Sequence, residues 1–128
     1  MVALTDSTYL IGLEKFPSTA TGPNIRTKLI EIDNVGNVLS TWEDSSPFTY
    51  APRQMIPMED GGLIYASRYL VEAVSASNPA PDFQGYIVRQ DADYNTLWTL
   101  QTGDPTFRTD LFNMIETLDG NYIAVGSN

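Results

Sequence analysis

The chain has 128 residues, a normal length for one domain, and 42% of them are hydrophobic, enough to bury a core. Sixteen acidic against seven basic side chains give a net charge of −9. Such a surface repels phosphate backbones and anionic membranes, so neither nucleic acid nor membrane insertion is expected. The absence of cysteine and histidine excludes disulfides, thiolate zinc sites, imidazole ligands and every catalytic dyad or triad that needs either residue.

Met1–Asp6 has neither a basic start nor a long apolar stretch, so no signal peptide is expected there. After it come short segments rich in β-branched and aromatic residues, which predict strands. In chain order they are Tyr9–Lys15, Arg26–Asp33, Asn37–Trp42, Arg53–Met58, Leu63–Val71, Gln84–Gln90, Thr96–Leu100, Leu111–Thr117 and Tyr122–Gly126. Turn residues punctuate them: Asn34-Val35-Gly36-Asn37, Asp60-Gly61-Gly62, Gly103-Asp104-Pro105 and Asp119-Gly120-Asn121. Longer polar loops are expected over Pro17–Asn24 and Ser75–Asp82. Arg68–Val74 has a hint of helical spacing but is too short and uncapped, and is read as strand running into loop.

The segments recur. Met55–Ile64 matches Met114–Ile123 at an offset of 59, and Leu29–Leu39 matches Ile87–Leu97 at an offset of 58. A weaker copy, Asp6–Ile11, lies 54 residues before Asp60. Repeat one thus covers about 6–59, repeat two about 60–118, and a third starts at 119–128. Parallel neighbours would need long crossovers, and none is visible. The expected fold class is all-β: β-propeller blades, two four-stranded antiparallel repeats plus one extra strand. In this reading the strand Tyr9–Leu13 has no preceding partner and presents an open edge.

The residues Ile32-Asp33-Asn34-Val35-Gly36-Asn37-Val38-Leu39, then Glu59-Asp60-Gly61-Gly62-Leu63-Ile64, carry a resemblance over nearly the whole chain. The second copy runs from Asp91 to Trp98 and then Leu118-Asp119-Gly120-Asn121-Tyr122-Ile123. This pattern resembles the repeats of large bacterial and archaeal cell-surface β-propellers. The resemblance implies an extracellular or surface location and a non-enzymatic role in binding, adhesion or assembly. The alternatives are a fragment of a glycan-processing, sialidase-like enzyme and a structural subunit of a filament or surface layer. The second copy places Tyr94 where Gly36 stands, so a different turn is expected there.

The repeated Asp33, Asp60, Asp91 and Asp119 are read as turn residues bonding their own backbone. Asp91, Asp93 and Asn95 have the alternate oxygen spacing that opens several calcium loops, and are the metal candidates. Thr96 and Thr102 stand where an EF-hand needs Gly and Glu. Asp93–Trp98 also resembles the Asp-box turn of sialidase-like propellers, but Asp91 and Asn95 occupy its Ser and Gly positions. Nothing in the sequence gathers Arg26, Arg53, Arg68, Arg89 and Arg108 into an anion site, and they are read as surface residues. Trp42 and Trp98 fall near the ends of equivalent strands, as candidates for stacking on a ligand or for packing between blades. No catalytic residue and no cofactor besides calcium is suggested. The expected partners are further copies of the chain or the remainder of a longer propeller, with a glycan or protein as ligand.

Overall fold

The computed structural model describes residues 1–15, 25–44, 49–72, 82–103 and 108–127. The expected loop Pro17–Asn24 lies outside them, as does Ser75–Asp82 up to residue 81.

All nine strands expected from β-branched and aromatic runs form, with ends shifted by a few residues at most. With one addition the described residues give ten strands, β1 Val2–Ala3, β2 Thr8–Lys15, β3 Arg26–Asp33, β4 Val38–Glu43, β5 Gln54–Pro57, β6 Leu63–Glu72, β7 Asp82–Gln90, β8 Thr96–Thr102, β9 Asp110–Glu116 and β10 Tyr122–Ser127. The helical hint at Arg68 is absorbed into β6. Three antiparallel sheets result: β1-β2-β3-β4, β5-β6-β7-β8, and the pair β10-β9. The protein is therefore all-β, with two four-stranded sheets and a smaller two-stranded one.

Two expectations change. The first strand does have a preceding partner, because Val2 pairs with Leu10 and Ala3 with Tyr9. Its hairpin closes as the Asp-Gly hairpins do. The Leu4 amide donates to the Thr8 carbonyl, as Met58 does to Gly62 and Thr117 to Asn121. Where those later turns add an amide bond from Gly61 or Gly120, the first uses the Thr5 hydroxyl to accept the amides of Ser7 and Thr8. The grouping also moves by one strand. An Asp-Gly turn joins neighbours within a sheet, so Gln54–Pro57 belongs with β6 and not with β4. Pro57, which cannot donate to a ladder, is tolerated because β5 is an edge strand.

The β5–β8 sheet is the middle layer. Leu63, Tyr65, Tyr86 and Val88 pack with Leu10 and Leu29 of the first sheet. The alternate residues Ile64, Ala66 and Ile87 pack with Leu111 and Met114 of β9. Successive side chains leave a strand on opposite faces, so one strand serves both interfaces. Leu63, Ile64, Tyr65 and Ala66 are consequently all buried, and the run reads as continuously apolar rather than alternating. The outer faces differ. Leu13 on β2, and Ile115, Ile123 and Val125 on β9–β10, are each 42–55% exposed.

A third cluster of Ile25, Tyr50, Leu70 and Phe83 closes one end. Tyr50 and Phe83 meet edge to face at 5.2 Å. The Arg68 guanidinium lies 4.4 Å from the Tyr50 ring and 4.7 Å from that of Phe83.

Candidate functional site

The aspartates form two kinds of turn. In the β3–β4 turn one Asp33 carboxylate oxygen accepts the amides of Val35 and Asn37 at 3.0 and 2.8 Å, and the other accepts the Asn37 side-chain amide at 2.8 Å. In the β7–β8 turn Asp91 accepts from Asp93, Asn95 and the Asn95 side chain at 3.0, 2.8 and 3.1 Å. The expected difference at Tyr94 does not occur. Tyr94 takes φ 62°, the left-handed region where Gly36 has φ 91°, and both turns close with the same backbone bonds. Asn37 and Asn95 side chains hold both carboxyls below their ordinary value, with the backbone amides adding to the effect.

Both Asp91 oxygens thus point into their own turn. The metal candidates Asp91, Asp93 and Asn95 lie together on this turn, where Asp91 and Asn95 bond to each other. Among the described residues no three carboxylates gather into a cluster able to hold a metal ion.

Asp60 accepts the Gly62 amide at 3.0 Å and pairs with Arg89. Asp119 instead bonds the Thr117 hydroxyl and the Asn121 side chain. Arg89 is not a surface residue: it is 9% exposed and also donates to the Gln90 carbonyl. The structure also draws two arginines together, contrary to their reading as scattered. Arg68 and Arg108 both reach Asp110, at 3.7 and 3.1 Å, and both lie over the Phe83 ring. Asp110 neutralises part of their charge, so the pair is braced against protein rather than presented to an anion.

The tryptophans occupy equivalent strands but different positions. Trp42 pairs with Leu29, whereas Trp98 pairs with Arg89 and Leu100 with Ile87. Since Leu29 matches Ile87, the counterpart of Trp42 is Leu100. Trp42 faces the middle sheet and packs on the first core cluster. Trp98 faces the β9 side and remains 45% exposed.

Trp42 forms one wall of a cleft of about 450 Å³ between β4 and β7–β8. That volume falls within the range of small-ligand sites. Tyr86 and Tyr94 supply further aromatic surface, Asn95 and Thr99 polar edges, and Asp44 a carboxylate. Glu43, at the rim, is bound by Lys15 at 2.7 Å and faces Arg26 at 3.7 Å. Burial raises the Tyr86 phenol, the Asp44 charge adds to this, and a bond to Thr99 opposes it. Tyr94 is raised by burial and by the charge of Glu31 on β3, and its ring packs against the first core cluster.

Of this set the sequence singles out only Trp42 and Asn95, and names Tyr94 only as a break in the repeat. The remaining residues converge through sheet-on-sheet packing, which leaves no local pattern. Comparison of the chain with protein-family models, with curated proteins and with solved structures finds no match in any of the three.

Proposed function

We propose that this chain is a segment of a surface β-propeller that works by non-covalent binding and assembly, without catalysis. The observation that supports this reading is the layering of consecutive sheets. The inner strands of the middle sheet, β6 and β7, are buried on both faces, each face by the neighbour next to it in sequence, while the edge strand β8 is exposed. The two end faces are made of the same kinds of residue and lack such a neighbour among the described residues. Tyr9, Ile11 and Leu13 occupy on β2 the places that Leu63, Tyr65 and Ser67 hold on β6. Ile115 and Ile123 occupy the places of Ile56 and Ile64, and are 55% and 52% exposed. A four-stranded face measures roughly 300 Å², and apolar faces of that size seek cover. Further blades would supply it, from the same polypeptide or from other copies. Head-to-tail contact of this kind closes a ring when the rotation allows and grows a fibre when it does not.

The test is the native mass of the isolated chain by light scattering over a concentration series, with a dye that reports exposed apolar surface. Concentration-dependent association with dye binding is expected. A monodisperse, well-folded monomer that binds no dye would overturn the reading. Turnover of fluorogenic glycosides would overturn its non-enzymatic part.

A further inference from the structure

We propose that the cleft between β4 and β8 binds a neutral polyhydroxylated ring, such as a hexose or N-acetylhexosamine unit of a glycan. This deepens the binding reading by naming a ligand class. It does not depend on ring closure, because both walls of the cleft belong to the described sheets.

The internal repeat separates scaffold from cleft. Positions that build the turns recur: Asp33 with Asp91, and Asn37 with Asn95, each making the same bonds. Of the cleft's lining, Asn95 and Thr99 recur as Asn37 and Thr41, whereas Trp42, Glu43, Asp44 and Tyr94 do not. By strand register, the counterparts of Trp42, Glu43 and Asp44 in the next sheet are Leu100, Gln101 and Thr102. The counterpart of Tyr94 is Gly36. Among the described residues the aromatic wall and two carboxylates therefore stand on β4 and just after it, and the matching places on β8 lack them. Folding needs the shared positions, so the unshared ones are open to another role.

Tyr94 sharpens this point. A bulky residue with φ 62° occupies a strained conformation that glycine adopts freely. The equivalent turn uses glycine. What the tyrosine adds is a ring on the cleft, facing the sheet that carries Trp42.

The lining selects the ligand. Anions are repelled by Asp44 and by a chain of net charge −9. A cation gains little from Glu43, whose charge Lys15 and Arg26 already engage. A sugar ring offers one apolar face for the Trp42 indole and hydroxyls around its edge. Thr96 and Thr99 can donate to those hydroxyls or accept from them. Asn95 gives its side-chain N–H to Asp91, and its side-chain oxygen Oδ1 has no partner among the described residues, so it can accept.

The chain has two tryptophans, and Trp98 lies outside the cleft, so Trp98→Phe leaves Trp42 as the sole indole. This variant is titrated with the methyl glycosides of glucose, galactose, mannose and N-acetylglucosamine, and with tetramethylammonium. A saturable change in Trp42 emission is expected with at least one sugar, with Kd in the millimolar range or tighter. Adding Tyr94→Gly, which suits the turn and spares the reporter, is expected to weaken that binding about tenfold. Response to none of the four sugars, response only to the cation, or unchanged affinity in Tyr94→Gly would each overturn the assignment. Self-association measured on the same sample is independent of these outcomes, so failure of the sugar site and failure of the propeller reading are distinguishable.

Discussion

The first and middle sheets share a strand order and a turn, yet one is buried on a single face and the other on both. On β2, Leu10 is fully buried while Leu13, on the opposite face, is 42% exposed. On β6 the corresponding stretch, Ile64 to Ser67, is 0% exposed throughout. The residues are similarly apolar, so the difference comes from neighbours. Among the described residues the middle sheet has one on each side, and the first sheet has one only.

The largest expected effect breaks the middle sheet. Tyr65→Ala removes a fully buried ring and should cost about 3–5 kcal/mol. Ile11→Ala, at the equivalent place on the half-covered face, should cost less than about 2 kcal/mol. Chemical denaturation of both variants measures the gap. If both cost the same, the first sheet is covered as well as the middle one.

Glycine contacts give the next effect. A Cβ on Gly62 would meet the Gln90 carbonyl oxygen at 2.3 Å, backbone that cannot swing aside, whereas Gly36 has nothing within 4 Å. Gly62→Ala should therefore lower the melting temperature far more than Gly36→Ala. The latter should cost about 1–2 kcal/mol, for its left-handed φ alone.

Asp60 and Asp119 come third. Asp60→Ala leaves the buried Arg89 without its carboxylate, with only backbone carbonyls as partners, while Asp119→Ala breaks bonds only to Thr117 and Asn121. The first should lower the thermal midpoint more than the second, and equal losses would mean that Arg89 finds another partner.

Much of the fold could be read from residue patterns, because each strand carries its β-branched and aromatic run and each hairpin its Asp, Asn or Gly. Four things could not. A repeat shows its period but not where the cycle begins, so β5 was grouped with the preceding strands. Val2–Ala3 is too short for any strand signal, and its pairing with Leu10 and Tyr9 emerges only in the folded chain. The turn at Tyr94 was misread because preference disfavours a left-handed tyrosine, while the Asp91 bonds impose it. The cleft was hidden for a different reason. Trp42 and Tyr94 lie in different repeats and approach only when two sheets stack.

The smallest expected effect is acid sensitivity shared by both turns. Hydrogen bonds lower the carboxyl pKa values of Asp33, Asp60, Asp91 and Asp119 from their ordinary 3.8, led respectively by Asn37, the Gly62 amide, Asn95 and Thr117. A lowered folded pKa stabilises the fold above the unfolded value, and that stability is lost as pH falls through the folded one. Melting should be flat near neutral pH and drop below about pH 4, the ordinary aspartate range. The drop should be shallower in Asp33→Asn and Asp91→Asn. Calcium should leave the melting temperature unchanged, since Asp91 is occupied by its own turn; a shift abolished by Asp93→Ala would show a metal there.

The most direct measurement of the layered arrangement is amide hydrogen exchange, resolved by residue, on dilute protein. Protection tracks the free energy of local opening. The slowest amides should be those of Leu63–Ala66 and Tyr86–Val88, with β2–β3 intermediate and β9–β10 fastest. Equal protection across all three sheets, or greater protection in β9–β10 than in β6, would contradict a middle sheet covered on both faces.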